Sequence, residues 1–274
     1  MPPHLTDSDV SRFHRDGFLF PLPVLAPAET LALRAKVEVA EARYGGRLPQ
    51  AFNSKIHLLM PALYDLVLDP RIVDAVEDLI GPDLLCFATS FISKSGHDER
   101  FVSWHQDATH WGLTEPVAVT AWVALTDSGP DNGCVRALPG SHRRPVAHAN
   151  MTDPANMLGR KEYVVDIVNE ADAVDFELAP GEMSLHHPLA VHGSAANTSG
   201  RRRLGFAIRY IPAHLRHTGD RANSATYVRG RDLDHFAPEA RPDADFSPAA
   251  RERHAAALRL AGAIIFDGKP ASAQ

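Results

Sequence analysis

Cysteine is nearly absent. Cys86 and Cys134 are the two cysteines in 274 residues. Both fall inside apolar, strand-like runs, where buried free thiols of a reducing compartment are expected rather than a bridge. Long apolar runs are lacking as well. The longest, 84–92 and 117–125, fall far short of the roughly 20 residues that span a bilayer as a helix, so no membrane is expected as a partner. There is no dense Lys/Arg block and the net charge is −6, which argues against nucleic acid. No Gly-rich phosphate loop follows a strand, which disfavours Rossmann and P-loop folds. Neither an internal repeat nor a low-complexity tract is present. The start, Met1-Pro2-Pro3-His4-Leu5-Thr6-Asp7, has no basic n-region and no apolar h-region, so a cytoplasmic location is expected.

What is present suits one large domain over residues 1–274, with 45% apolar residues to fill a core. The part over about 1–82 reads as helical. Thr6 with Asp9 makes a capping-box start, Val10 and Phe13 supply an apolar face, and Gly17 ends the helix. Phe18-Leu19-Phe20 reads as a short strand. A second helix is predicted from Pro27 to about Tyr44, where Gly45-Gly46 breaks it, and a third follows Pro70 and stops at Gly81-Pro82. From Leu84 the texture changes to β-rich runs at 84–93, 117–126, 134–138, 173–178, 183–187 and 204–211. Turn signals at Asp131-Asn132-Gly133, Pro139-Gly140-Ser141 and Pro180-Gly181 separate several of them. This order predicts a mainly β fold with flanking helices and a double-stranded β-helix (jelly roll, cupin-like) core over about 83–212, an architecture with a mouth where metal sites can sit. The C-terminal part, about 213–274, reads as a polar, irregular stretch leading to a last helix near 247–260.

Histidine is abundant, at 15 residues, so spacing has to select among them. In Trp104-His105-Gln106-Asp107 one residue separates an imidazole from a carboxylate, and on an extended segment both side chains leave the same face and can share one ion. Such a His-x-Asp pair also arises often by chance. The second histidine must come from elsewhere, and His192, in Val191-His192-Gly193-Ser194, follows an apolar strand. Two imidazoles and one carboxylate form a facial triad, which leaves positions on octahedral iron(II) for a bidentate oxo-acid and for oxygen. A co-substrate with a distal carboxylate also needs a cation, and guanidinium can bind it through two parallel hydrogen bonds. The run Arg201-Arg202-Arg203 offers one at the start of a strand, and Ser194 could reach the same anion. Spacing does not choose among the three arginines.

With these motifs the chain resembles the phytanoyl-CoA dioxygenase family of Fe(II)/2-oxoglutarate-dependent oxygenases, from the helix at Thr6 through about Pro212. The resemblance is carried by Trp104-His105-Gln106-Asp107, by Asn132-Gly133-Cys134 leading to Pro139-Gly140-Ser141-His142, by His187-Pro188 with His192-Gly193-Ser194, and by Arg203. It implies iron ligands at His105, Asp107 and His192, with the distal carboxylate of 2-oxoglutarate held by Arg203 and Ser194. It also places Trp122 beside the co-substrate, and Lys55 in Ser54-Lys55-Ile56. Alternation agrees for Trp122, because with Thr120 it would share a face with the small residues Ala118 and Ala124, leaving cavity space. His187 is a candidate for orienting a ligand from the strand that leads to the site. His110, His142 and His186 read as structural.

The implied enzyme is an Fe(II)/2-oxoglutarate-dependent dioxygenase. It would consume 2-oxoglutarate and O2, release succinate and CO2, and hydroxylate an unactivated C–H of a small, polar or anionic molecule. Related halogenases have a small residue in place of the carboxylate, so Asp107 favours hydroxylation; desaturation, epoxidation and ring closure would use the same ligands. A cupin-like metalloenzyme using zinc, manganese or nickel for isomerisation or hydrolysis would share the ligands without needing Arg203. A non-catalytic binding module would have no need for the triad. On the strand after Arg203, residues Gly205, Ala207 and Arg209 share its face, which makes Arg209 the candidate substrate contact. The loop with Arg229 and Arg231 is a candidate lid.

Overall fold

The long strands carry apolar residues on both faces because each face is covered, one by helices and the other by a second sheet. The computed structural model describes residues 5–159, 162–165, 169–218 and 223–265. Residues 1–4, read above for a leader, and the side chain of His110 lie outside the described set.

Helix α1 (Asp7–Asp16) begins with the capping box: Asp9 N donates to Thr6 Oγ1 and Thr6 N to Asp9 Oδ2, each at 3.2 Å. It ends at Gly17, whose φ of 87° closes the last turn. Strand β1 (Phe18–Pro23) leads to α2 (Pro27–Ala42), which has its proline in the first turn. Helices α3 (Gln50–Asn53) and α4 (Pro61–Val67) follow; both are too short to leave a helical period in the sequence. Helix α5 (Pro70–Ile80) is capped by Asp69, which accepts from Arg71 N at 2.9 Å. Helix α6 (Pro248–Ile265) runs further than expected.

The remaining strands are β2 (Leu84–Lys94), β3 (Val102–His105), β4 (Val119–Ala124), β5 (Arg136–Ala137), β6 (His148–Asn150), β7 (Glu162–Val164), β8 (Val174–Asp175), β9 (Glu182–His186), β10 (His192–Ser194), β11 (Arg203–Pro212), β12 (Ser224–Arg229) and β13 (Ala237–Pro238). A seven-stranded sheet has the order β1-β9-β4-β11-β2-β12-β13, a four-stranded sheet β3-β10-β5-β8, and β6 pairs with β7. The two larger sheets form a jelly-roll core that is not closed into a barrel. One expectation needs correction. The stretch after Pro212 contains β12, which pairs antiparallel with β2 and covers an edge that would otherwise be left unpaired. Its mixed polarity hid it from the alternation test, since Ser224 and Thr226 are buried and hydrogen-bonded.

Alternation explains where the core and the cavity lie. On β4 and β11, Val119, Ala121, Val123, Leu204, Phe206, Ile208 and Tyr210 pack against Leu33, Val37, Leu63, Val67, Ile72 and Val76 of the helical layer. The intervening residues, Thr120, Trp122, Ala124, Arg203, Gly205, Ala207 and Arg209, face the smaller sheet. There Trp122, Ala124 and Ala207 join Phe18, Val135, Ala137, Phe176 and Leu178 in a second cluster. Cys86 and Cys134 are buried free thiols, and burial pushes Cys134 up to about 12.

Candidate metal centre

Strand register brings the two histidines together. β3 and β10 pair antiparallel with His105 directly opposite His192, which sets their ring centroids 4.1 Å apart. His105 Nδ1 lies 2.8 Å from Ser103 O and His192 Nδ1 lies 2.9 Å from Ala190 O. A carbonyl oxygen can only accept, so each Nδ1 carries the proton and each Nε2 is the unprotonated nitrogen suited to a metal. Asp107 stands at the start of a 3₁₀ turn rather than on the strand itself, with Oδ1 3.4 Å from His105 Nε2. One ligand atom from each of His105, Asp107 and His192 lies within 4.8 Å of the others. Burial opposes the Asp107 charge, but the neighbouring His105 ring and the Arg209 guanidinium outweigh it and hold the carboxyl well below its ordinary range. Burial keeps His192 neutral, well below its ordinary value.

Gln106, between His105 and Asp107, is a residue that sequence reasoning missed. It is fully buried. Its side chain donates to Arg144 O at 3.0 Å and Leu189 O at 2.7 Å, and accepts from Val146 N at 2.9 Å. Ala108 N donates to Pro188 O at 3.0 Å on the other side of Asp107. The turn that carries Asp107 is therefore stitched to both neighbouring loops. Only the His105-Gln106-Asp107 motif, with an amide side chain between the imidazole and the carboxylate, could have signalled this.

The triad opens into a cavity of about 530 Å³ between the sheets, lined also by Thr120, Trp122, His186, Ser194, Arg203 and Arg209. Arg203 is completely buried, and none of its three guanidinium nitrogens has a hydrogen-bond partner among the described residues. Burial pulls it down to about 10. Its guanidinium stands 5.3 Å from the Trp122 ring centroid, within reach of a cation–π contact. Arg201 and Arg202 have other partners, Asp131 and Glu41. Arg209 donates to Ser90 Oγ at 3.1 Å and lies 3.8 Å from Asp107 Oδ2. His186 also belongs to this wall. It stands 4.8 Å from the His192 ring, with Nδ1 unpartnered among the described residues, and burial pulls it down to about 4.

Lys55 is not brought to the cavity. Its backbone has a φ of 53°, which turns the side chain to Glu239 Oε1 at 2.5 Å and Ser224 O at 2.8 Å. His187 accepts from Leu189 N at 3.1 Å and faces His142 rather than the triad. Arg229 pairs with Asp74 and Glu77, and Arg231 with Asp83, which ties that loop to α5 and the start of β2, away from the cavity.

Residues 13–205 match the family Phytanoyl-CoA dioxygenase (PhyH). The chain belongs to the phytanoyl-CoA dioxygenase family. Among family relatives, the ectoine dioxygenase of Nocardia farcinica (strain IFM 10152) is 28% identical over 215 residues, covering 69% of this chain and 72% of the relative. The L-proline trans-4-hydroxylase of Streptomyces griseoviridis is 28% identical over 246 residues, covering 77% and 89%. A solved structure of the non-heme monooxygenase ThoJ, in its apo form, superposes with a TM-score of 0.82 at 35% identity, covering 93% of this chain and 96% of that one.

Proposed function

We propose that this phytanoyl-CoA dioxygenase family member is an Fe(II)/2-oxoglutarate-dependent oxygenase that hydroxylates a C–H bond of a small polar or anionic molecule. The observation that carries this reading is Arg203, a buried guanidinium with unpartnered donors in the same cavity as a two-histidine, one-carboxylate cluster. The donor set suits iron(II) with open positions, and the orphaned guanidinium suits a carboxylate. A non-redox metalloenzyme would have no use for Arg203 there. The relatives that act on ectoine and on L-proline support a small-molecule substrate. Among the described residues no helix is long and apolar enough to cross a membrane, and a cytoplasmic place belongs to this reading.

Under it, His105, Asp107 and His192 would hold the iron through two Nε2 atoms and a carboxylate oxygen. Bound iron and 2-oxoglutarate would supply an oxidant made from O2, with succinate and CO2 as products. Arg203 would pair with the distal carboxylate of 2-oxoglutarate, beside Ser194 and the Trp122 indole. Trp122, Val135 and Ala207 form an apolar wall that excludes water from the reacting centre. Asp107 keeps a metal position that a halogenase would leave to chloride, which favours hydroxylation. Arg209, beside Asp107, would orient an anionic group of the substrate.

The test is succinate formation when iron(II), ascorbate and 2-oxoglutarate are added under air to metal-free protein. Iron-dependent succinate that Asp107→Ala and Arg203→Ala each suppress is expected. No succinate from the unsubstituted protein, with candidate substrates present, would overturn the reading in favour of a cupin-like isomerase or hydrolase.

A further inference from the structure

A second cation, Lys94, lies beside Arg203. Lys94 ends β2 and is paired in register with Arg203 on β11. Both side chains are completely buried, and among the described residues neither forms an ion pair. Lys94 Nζ donates to Ser194 Oγ at 2.6 Å, to Ser194 O at 3.2 Å and to Ala195 O, so its three protons are all used. The Ser194 hydroxyl in turn donates to Gly133 O at 2.7 Å. Gly133 has a φ of 72°, and a Cβ there would come within 2.3 Å of Ala195 O and 3.1 Å of Lys94 Nζ, so the loop is shaped around the ammonium group.

Placing two like charges together out of water is costly unless an anion joins them. Burial and the neighbouring Arg203 draw Lys94 down to about 7. Ser194 lines the cavity with Arg203, whereas Lys94 reaches the cavity only through Ser194. We propose that Lys94 is a positioning residue of the co-substrate pocket: it locks the Ser194 hydroxyl and backs Arg203 with a second buried positive charge, so that the pocket selects an oxo-acid with a distal carboxylate. This rests on the Fe(II)/2-oxoglutarate reading and extends it to a residue outside the cavity wall.

The test is calorimetry on iron-loaded protein under nitrogen, with 2-oxoglutarate and with 2-oxovalerate, which has the same chain length and no distal carboxylate. Lys94→Met is expected to weaken 2-oxoglutarate roughly ten- to hundred-fold, the range of a hydrogen bond to a charged group, while 2-oxovalerate changes less than about two-fold. Because part of the Lys94 effect passes through Ser194, Lys94→Met and Ser194→Ala together should cost less than the sum of the two alone. A merely structural lysine would weaken both acids alike, and that result overturns the inference, as does unchanged 2-oxoglutarate affinity. If Lys94→Met does not fold, Lys94→Gln carries the same comparison. Unsubstituted protein that binds neither acid overturns the oxygenase reading and this inference with it, whereas normal binding with an unaffected Lys94 variant overturns this inference alone.

Discussion

The Trp122 indole occupies the space that a side chain on Gly205 would need. A Cβ at Gly205 would lie 1.8 Å from Cζ2 of that ring, so the indole is seated against the bare backbone of β11, two residues along from Arg203. Gly205→Ala must therefore push the indole off its seat. The expected cost is about 1–3 kcal/mol, the usual penalty of overpacking, seen as a lower Tm, together with weaker 2-oxoglutarate binding as Trp122 and Arg203 shift. An unchanged Tm would show that the indole has room to move.

Gln106→Ala removes the three side-chain hydrogen bonds that stitch the turn between His105 and Asp107. Loss of such supporting contacts typically reduces metal affinity ten- to hundred-fold. A titration of metal-free protein with iron(II) checks this, with circular dichroism to confirm that the fold is kept. Unaltered affinity would mean that strand pairing alone holds the ligands.

Stability should fall in acid through Glu239. Burial works against its charge, but Lys55 and His57 outweigh that and hold the carboxyl at about 2, against an ordinary value of 4.5. A depressed carboxylate contributes stability that is fully present above the unfolded value and lost as pH falls through the folded one. The loss is therefore expected between about pH 4.5 and 2. Glu239→Gln leaves Lys55 buried without its partner and should cost about 3–5 kcal/mol at pH 7, with a flatter curve in that acid window. Denaturant titrations across pH decide it, and parallel curves for the two proteins would count against the assignment.

Arg209→Ala should raise the KM for substrate roughly ten- to hundred-fold while substrate-independent 2-oxoglutarate turnover persists. The two rates can be measured side by side once a substrate is in hand. If iron affinity falls and the substrate KM does not, Arg209 serves as a structural partner of Asp107.

The helix boundaries at Thr6, Gly17, Pro27 and Gly81 could be read from the sequence because caps and prolines act locally. The helices α3 and α4 and the strands β10 and β12 could not, since they are too short or too polar to show a period. The same division runs through the site. His105-Gln106-Asp107 and His192-Gly193-Ser194 stand out as motifs, and alternation places Arg209 on the face of Arg203 and Trp122 on one face with Thr120, Ala118 and Ala124. Lys55 was placed at the co-substrate by resemblance alone, and its left-handed backbone turns it to Glu239 instead.

By itself, then, the sequence determined the residue types of the candidate metal cluster, the β-rich core with its helical cover, and the face of each long strand, all consequences of local periodicity and motif spacing. Tertiary structure alone decided which arginine of 201–203 is buried without a partner among the described residues, that Lys94 stands behind Ser194, and that Gln106 pins the turn at Asp107. Each of these depends on pairing register between strands or loops distant in sequence, which no local pattern encodes.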